Sequence, residues 1–263
     1  MGPFILRRTK EQVASELPER VESVLYCRLE GAQRDLYDRI RDACRERVAR
    51  SLKNKGLAGS RMAILDALLK LRQVCCHPEL LPEDLAGGVT GSAKMDLFME
   101  FVTESLEEGH RLLVFSQFVS MLRVIRRELD AVKVPYVYLD GRTRDREKRV
   151  QRFQESADIP LFLISLKAGG TGLNLTGADY VIHFDPWWNP AVEQQATDRA
   201  HRIGQTRRVF SYKLIAEDTV EEKILALQER KRTLSDILLG GERELAADLS
   251  LEDLEKIFGR IGA

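Results

Sequence analysis

The stretch Leu161-Phe162-Leu163-Ile164 is a continuous apolar run of strand length, and it leads directly into a glycine-rich segment that ends at Gly172. Such a run is too short for a typical buried helix, and it predicts a strand covered on both faces. Similar runs recur at residues 112–115, 136–139, 180–184 and 209–215. Helical patterns separate most of these runs, and the alternation predicts an α/β fold with a parallel sheet. In such sheets ligands bind at the carboxyl ends of the strands.

Apolar residues at helical spacing predict most of the remaining elements. A loosely alternating segment from Val21 to Leu29 predicts one further strand. Predicted helices cover residues 32–52, 60–76, 94–107, 121–131, 144–155, 190–203 and 218–239, and a short helical segment begins near Ser250. Glycines and prolines mark residues 82–91 as a loop. We divide the chain into a linker and mostly helical insertion region (1–91), a parallel-sheet lobe (92–216), and a long charged helix with a tail (217–263).

The composition is that of an ordinary globular chain, with 44% hydrophobic and 31% charged residues in a length of 263. Lys and Arg total 41 and balance 41 Asp and Glu, so a polyanion must bind at a local patch. No apolar run approaches the roughly 20 residues that cross a bilayer, and the start of the chain lacks a signal-peptide core. We expect no membrane partner and a cytoplasmic location, or a nuclear one in a eukaryote.

The four cysteines are Cys27, Cys44, Cys75 and Cys76, and none forms a CxxC pair. This spacing argues against a zinc ribbon and against a disulfide framework. Cys75-Cys76-His77 does not form a metal site, because adjacent side chains on a helix point about 100° apart and no second pair in the sequence supplies the remaining ligands. We therefore predict two core thiols at the end of a helix that Pro78 stops, and no metal site.

The segment from Gln194 to Gln205 contains two arginines at a spacing of i, i+3. On a helix opened by Asn189-Pro190, both side chains would project from the same face. Arg199 and Arg202 could therefore converge on one anion, such as the transferring phosphoryl group of a nucleoside triphosphate. The alternative is a salt-bridged surface helix, where arginines are common. The order of the surrounding elements favours the anion site.

The loop from Lys167 to Gly172 is a candidate for backbone contact with a phosphate. It lacks the GxxxxGK[ST] spacing of a Walker A loop, so it offers no cradle for the β- and γ-phosphates of a nucleotide. Thr171 and Asn174 add donors that could reach a DNA phosphate. The alternative is a tight connection between a strand and a helix.

A second candidate loop, Asp140-Gly141-Arg142-Thr143, follows a predicted strand and opens a predicted helix. Backbone N–H groups at that helix N-terminus would favour a phosphate at Arg142 and Thr143. Basic residues along the helix would extend a patch that tracks a nucleic-acid backbone. The alternative is a solvated face, in which acidic residues balance the basic residues Arg144, Arg146, Lys148, Arg149 and Arg152.

Asp185-Pro186-Trp187-Trp188-Asn189-Pro190 combines two prolines with two tryptophans and predicts a rigid, exposed aromatic loop. A tryptophan at a DNA groove could stack on sugar and base edges. The alternative is that both rings fix the loop to the core, which is the commoner fate of tryptophan. We predict one ring in each role.

Taken in order, the segments 113–118, 139–143, 165–175, 185–190 and 195–205 resemble the second RecA-like lobe of Swi/Snf-type remodelling ATPases, a branch of helicase superfamily two. The pair DPWWNP and DRAHRIGQ is particularly specific. The opening Phe4 to Pro18 and the segment Leu71 to Pro78 look like the linker and helical insertions that join the two lobes. The fold implied is a RecA-like three-layer sheet with helices on both faces, a helical N-terminal insertion and a C-terminal brace helix that begins near Asp218.

The resemblance also implies roles for individual residues. Arg199 and Arg202 would be arginine fingers, with Gln195, Gly170 and Gly172 at the nucleotide. The DNA-contacting residues would be Gly141, Arg142, Thr143, Lys167, Gly169, Thr171, Asn174 and Trp188. Arg142 departs from the small Ser that is common in its motif, and Trp187 replaces a frequent polar residue.

The family translocates along double-stranded DNA without separating the strands, and the resemblance implies ATP with Mg²⁺ as cofactors. A first lobe, with the Walker A loop and the acidic Mg²⁺ motif, would hold most of that cofactor, and its motifs are missing from this sequence. We therefore expect this chain alone to fold without hydrolysing ATP. Expected partners are double-stranded DNA, the first lobe of the same polypeptide and a DNA-bound protein. The compact insertions resemble those of prokaryotic members, for which a nucleoid-associated location follows.

Three alternatives remain open from the sequence. A strand-separating helicase of the same superfamily would share the arginine fingers but should carry a wedge hairpin. A non-catalytic docking module would keep its function after the loss of one arginine. An unrelated α/β enzyme, such as a sugar transferase, would not need Arg199 and Arg202 three residues apart after a tryptophan loop.

Overall fold

The computed structural model describes residues 17–168, 172–233 and 250–259. Within these residues six strands form one sheet, and every neighbouring pair is parallel. They are β1 (Arg20–Cys27), β2 (Leu112–Ser116), β3 (Tyr136–Leu139), β4 (Leu161–Ser165), β5 (Tyr180–His183) and β6 (Val209–Ala216). Their order across the sheet is β1-β6-β5-β2-β4-β3. The predicted α/β class with a parallel sheet is confirmed.

The helices alternate with these strands along most of the chain. They are α1 (Gly31–Cys76), α2 (Glu83–Ala86), α3 (Ala93–Glu107), α4 (Val119–Ala131), α5 (Arg146–Glu155), α6 (Pro190–Thr197), α7 (Val220–Thr233) and α8 (Leu251–Phe258). The two predicted helices at 32–52 and 60–76 are joined into α1, which Gly56 kinks with φ 64° and ψ −177°. Glycine tolerates that backbone conformation because it has no Cβ. The predicted loop at 82–91 contains the short helix α2.

Helices cover both faces of the sheet, which gives the predicted three layers. On one face Phe98 of α3 and Ile125 of α4 pack in a core with Val114. On the opposite face Phe153 of α5 packs in a second core with Phe115. Because successive side chains of a strand point to opposite faces, neighbouring residues of β2 supply both cores. This double coverage explains why β2 and β4, which are buried at every residue, read as almost entirely apolar runs.

Strand β1 belongs to the same sheet although it lies in the predicted linker and insertion region. It pairs with β6 along its whole length, from Arg20 opposite Val209 to Cys27 opposite Ala216. Residues 20–27 are therefore tied to the strand that follows the arginine-rich segment. The division into three segments stays a prediction.

A third core holds the helical part of the molecule together. Leu68 of α1, Ile224 of α7 and Phe258 of α8 are fully or almost fully buried in it. Helix α8 begins with a capping box, in which Ser250 and Asp253 bind each other's backbone N–H groups. The predicted brace helix is present from Val220 to Thr233. Its predicted continuation to Leu239 and its end at Gly240-Gly241 lie outside the described residues.

The four cysteines are free and buried, and Cys75 and Cys76 lie at the end of α1 as predicted. Burial raises the pKa of the Cys27 thiol to about 11 and also raises the pKa values of Cys75 and Cys76. Among the described residues, no group of three or more His, Cys, Asp or Glu side chains could hold a metal ion. In the same residues no helix has both the length and the apolar character needed to span a membrane.

Candidate functional site

A cavity of about 270 Å³ lies at the carboxyl edge of the sheet, where the loops after β4 and β5 meet helix α6. It brings together Lys167, Gln195 and Arg199, three of the residues that the sequence assigns to nucleotide or DNA. Apolar residues complete the wall, namely Leu166, Trp187, Val192 and Ala196. The arrangement places two cations and an amide around one opening, which suits an anionic ligand.

Arg199 is almost fully buried at this cavity, with 5% of its surface exposed. Its Nε atom has no hydrogen-bond partner in the described structure. Burial lowers the pKa of the Arg199 guanidinium, and the positive charge of Arg202 lowers that pKa further. A buried cation with an unused donor and a like charge nearby gains from a negatively charged partner.

The two arginines do not share a regular helix, so the predicted helix at 190–203 is too long. Helix α6 ends at Thr197, and residues 198–204 form a succession of turns. Backbone N–H groups of Arg202 and Gln205 donate to Ala200 O and Arg202 O at 3.1 and 2.9 Å. Tight turns rather than helical spacing therefore set the positions of Arg199 and Arg202. Arg202 is exposed.

The segment before β1 also holds this turn region. His201 Nε2 donates to Pro18 O at 2.7 Å, and Arg20 lies 3.7 Å from the Asp198 carboxylate. These contacts join the start of the described chain to the residues between Arg199 and Arg202.

The glycine-rich loop is described only in part, because Gly169, Gly170 and Thr171 lie outside the described residues. Lys167, Gly172 and Asn174 are exposed, and Gly172 has a positive φ of 49°. At the end of the loop the backbone N–H of Leu175 donates to Arg199 O at 3.0 Å. The loop and the arginine turns are thus joined directly through the backbone.

The loop at Asp140 does not form the helix N-terminus that the sequence predicts. Helix α5 begins at Arg146, after an N-cap at Asp145. The Asp140 carboxylate instead accepts from the Arg142 N–H at 2.9 Å and from Thr143 Oγ1 at 3.0 Å. Gly141 and Arg142 are exposed, but the amide of Arg142 is used inside the loop. Any phosphate contact here would involve the Arg142 side chain rather than a helix dipole.

The prediction that one tryptophan is exposed is wrong. Trp187 and Trp188 are only 8% and 7% exposed, and both belong to hydrophobic cores. The guanidinium of Arg72, on α1, lies 4.9 Å from the centre of the Trp188 ring. Trp188 therefore has little surface for stacking on DNA in this arrangement. The apolar area of two indole rings outweighs the short turn's preference for the surface.

Arg72 is the main link between the helical part and the tryptophan loop. It is 1% exposed, donates to Pro186 O and lies 3.6 Å from the Asp185 carboxylate. Asp185 also accepts from Ser116 Oγ and from the Gln117 N–H. Burial raises the pKa of Asp185 to about 6, although the Arg72 charge and the Ser116 hydrogen bond act to lower it.

Two further side chains hold this loop. Glu193 accepts from the Trp187 N–H at 2.6 Å and pairs with Lys213 of β6 at 2.7 Å. Gln228 of α7 donates to Trp187 O. Sequence reasoning missed Arg72, Glu193 and Gln228. The available signal was a charged residue, Arg72, within the apolar stretch that ends α1, but its partners are more than 110 positions away.

His183, the last residue of β5, forms a buried polar chain beside the tryptophan loop. Its Nε2 lies 3.0 Å from Thr197 Oγ1, which lies 3.2 Å from Ser211 Oγ. Burial lowers the pKa of His183 to about 4, so the ring is neutral near pH 7. These hydrogen bonds connect the last residue of α6, directly before the arginine turns, to β5 and β6.

Two family descriptions match this chain. The helicase conserved C-terminal domain matches residues 93–204, and the SNF2-related domain matches residues 1–80. Together with the parallel three-layer fold and the cavity at its carboxyl edge, the first match defines the class, the RecA-like C-terminal lobe of helicase-type ATPases.

Solved structures make the assignment more specific. The Sulfolobus solfataricus SWI2/SNF2 ATPase C-terminal domain is 34% identical, with a TM-score of 0.70 over 91% of this chain and 98% of that one. The Sulfolobus solfataricus SWI2/SNF2 ATPase core in complex with dsDNA is 37% identical, with a TM-score of 0.73 over 97% of this chain and 54% of that one. The chain belongs to the SWI2/SNF2 family, as the C-terminal lobe of its ATPase core.

Curated relatives include bacterial proteins. The putative ATP-dependent helicase/translocase YwqA of Bacillus subtilis is 40% identical over 265 residues, which cover 97% of this chain and 28% of the relative. The chain spans about a quarter of the length of the first curated relatives it matches.

Proposed function

We propose that this chain is the second lobe of an ATP-driven translocase on double-stranded DNA, and that it acts together with a first lobe. In this proposal Arg199 and Arg202 are the arginine fingers, which stabilise the negative charge that develops on the transferring phosphoryl group. The observation that carries the proposal is the buried Arg199, whose Nε lacks a partner and whose charge lies beside that of Arg202.

The residues at the cavity fit the triphosphate of ATP. The Arg199 guanidinium offers an unused donor, and Gln195 offers an amide that can donate or accept. In this proposal Gly170 and Gly172 also contact the nucleotide. ATP with Mg²⁺ supplies the bond that is cleaved, and in this proposal the first lobe holds the metal and most of the phosphate contacts.

The proposed DNA surface consists of the two loops after β3 and β4. It includes the exposed residues Lys167 and Asn174 and the side chain of Arg142, with the neighbouring residues Gly141, Thr143, Gly169 and Thr171. Support comes from the similar ATPase core that was solved in complex with dsDNA. Trp188 is left out of this surface because its ring is buried, and we assign it to holding the loop.

The proposal also covers the setting of the protein. The partners are double-stranded DNA, the first lobe of the same polypeptide and a DNA-bound protein that the motor displaces or remodels. A cytoplasmic, nucleoid-associated location follows for a prokaryotic source, and a nuclear one for a eukaryotic source.

The decisive experiment measures ATP hydrolysis, stimulated by double-stranded DNA, in a protein that carries this chain behind a first ATPase lobe. Arg202→Ala should lower the rate by roughly 10³-fold or more, the scale of an arginine finger. The matched control is Arg123→Ala, which removes an exposed arginine of α4 and should leave the rate near wild type. An unchanged rate in Arg202→Ala, with folding and DNA binding intact, would favour a docking module.

A second prediction concerns the chain by itself. The sequence holds no Walker A loop, and a phosphoryl-transfer site needs that cradle together with the arginines. The isolated chain should therefore fold and hydrolyse no ATP, with or without DNA. Turnover by the pure chain that disappears in Arg202→Ala would contradict this division of roles.

A further inference from the structure

Gln205 has a side-chain amide whose nitrogen and oxygen both form hydrogen bonds, and it belongs to neither the proposed nucleotide site nor the proposed DNA surface. It is 7% exposed and lies at the end of the turns that contain Arg199 and Arg202. Its Nε2 lies within hydrogen-bond distance of three carbonyl oxygens, of Thr176 at 3.1 Å, Ala178 at 2.8 Å and Ala200 at 3.1 Å. Its Oε1 accepts from the Arg207 N–H at 2.8 Å.

These contacts join the arginine turns, which the proposed function assigns to the nucleotide, to the segment that follows Asn174, which it assigns to DNA. Ala200 lies between the two arginines, and the Gln205 backbone N–H also donates to Arg202 O at 2.9 Å. Thr176 and Ala178 belong to the connection between β4 and β5, which begins with the glycine-rich loop. One amide therefore bridges the arginine turns and the end of the proposed DNA-contacting loop.

A glutamine suits this position for a chemical reason. Its amide nitrogen donates to carbonyls while its oxygen accepts from an N–H group, and the side chain is long enough to span both segments. A glutamate would lose the donors, and an apolar residue would lose both ends of the bridge. The Leu175 N–H bond to Arg199 O at 3.0 Å is a parallel connection through the backbone alone.

We propose that Gln205 is a positioning residue that couples DNA contact at Lys167 and Asn174 to the placement of Arg199 and Arg202. The inference rests on the proposed function. DNA bound at Lys167 and Asn174 displaces or fixes the 172–178 segment, and Gln205 transmits that position to the arginine turns. Loss of the bridge leaves both ligand sites present but uncoupled.

The chain offers a matched control in Gln154 of α5. Its Oε1 accepts from the Gly177 N–H at 2.8 Å, and its Nε2 lies 3.4 Å from Thr176 Oγ1. Gln154 thus binds the same segment through the same chemistry, and these two hydrogen bonds do not involve residues 198–205. A role in merely holding the segment would make the two glutamines equivalent.

The test compares Gln205→Met with Gln154→Met in the two-lobe protein, with ATP turnover measured with and without double-stranded DNA. Gln205→Met should lower the DNA-stimulated kcat by about 10- to 100-fold, the scale of a small misplacement of a catalytic group. The KM for ATP and the affinity for DNA should stay within about twofold, because neither binding surface is removed. Gln154→Met should keep the DNA-stimulated kcat.

A second variant, Gln205→Asn, stays polar but is one methylene shorter and cannot reach all three carbonyls, so it tests the inference if Gln205→Met fails to fold. It should show the same selective loss of DNA stimulation. Wild-type stimulation in a folded Gln205 variant overturns the inference, and so does an equal loss in Gln154→Met.

Arg202→Ala in the same assay distinguishes a failure of the coupling role of Gln205 from a failure of the proposed function. If Arg202→Ala loses turnover while the Gln205 variants keep it, only the coupling role is wrong. If Arg202→Ala keeps turnover, the proposed function is wrong and the inference falls with it.

Discussion

The tryptophan loop (185–190) and the arginine turns (198–205) lie on either side of α6, yet the fold treats them in opposite ways. In the loop both indole rings are buried, and Arg72, Glu193 and Gln228 hold its backbone. In the turns Arg202 and Ile203 are exposed, and Ile203 has 77% of its surface accessible. The aromatic loop is therefore part of the core, while the turns leave Arg202 and Ile203 at the surface beside the buried Arg199 and Gln205.

The difference has an energetic meaning. The two buried rings contribute to stability, and removal of one leaves a cavity inside the protein. Removal of one partner of the buried ion pair is costly because it leaves an uncompensated charge. Exposed side chains at a turn contribute little to stability, so they are free to serve another surface. We therefore expect substitutions in the loop to change folding and substitutions in the turns to change activity.

The largest effect on stability should come from Arg72→Ala. This change leaves the buried Asp185 carboxylate without its cation and should lower the free energy of unfolding by about 3–5 kcal/mol. Denaturant unfolding of the chain measures the loss, and Arg123→Ala is the exposed control, which should stay within about 0.5 kcal/mol of wild type. Equal losses in the two variants would mean that Arg72 does not hold the loop.

The next largest effect on stability should come from two neighbouring groups, Asp185 and His183, whose contributions to stability change with pH in opposite directions. The folded pKa of Asp185, about 6, lies above its ordinary value of 3.8, so its contribution is full below about pH 4 and is lost as the pH rises through 6. The folded pKa of His183, about 4, lies below its ordinary value of 6.5, so its contribution is full above about pH 6.5 and is lost as the pH falls through 4.

Each of these pKa changes corresponds to about 3 kcal/mol, and in the wild type the two nearly cancel between pH 4 and 6.5. Asp185→Asn should remove the contribution that falls as the pH rises. The free energy of unfolding should then increase more steeply with pH in that window than in the wild type. His183→Gln should do the reverse. Unfolding curves at several pH values measure both slopes, and parallel curves for the two variants would contradict the assignment.

The smallest effect should come from the tip of the arginine turns. Ile203→Ala should change the free energy of unfolding by no more than about 0.5 kcal/mol, because the side chain is exposed. The same substitution in the core, Ile224→Ala, should cost about 2–5 kcal/mol. A large loss in Ile203→Ala would show that the turns are part of the core after all, and the comparison above would fail.

Sequence patterns predicted the elements of the sheet well and the local geometry of the site less well. Nearly continuous apolar runs identified β2 to β6. The pattern is fullest in β2 and β4, which are buried at every residue, because strands covered on both faces leave it. The helix predicted through Arg199 and Arg202 was too long, because periodicity does not register the turns that follow Thr197. The helix predicted from Arg144 began too early, because the Asp140 carboxylate uses local donors to form its own loop.

The candidate site was predictable where it depends on neighbours in sequence and unpredictable where it depends on distant ones. Arg199 and Gln195, which the resemblance assigns to the nucleotide, line one cavity together with Lys167, which it assigns to DNA. The burial of Trp188 depends on α1, more than 100 positions earlier, and no local pattern records that contact. The roles of Gly169, Gly170 and Thr171 stay predictions.

The sequence by itself determined the parallel sheet and the family, because these follow from local apolar patterns and from the order of motifs along the chain. Only the tertiary structure decided that both tryptophans are buried, that Arg72 pairs with Asp185, and that Gln205 bridges two loops. The physical reason is that burial and ion pairing are properties of contacts between segments, and Arg72 meets Pro186 at a separation of 114 positions. Such contacts exist only once the chain has folded.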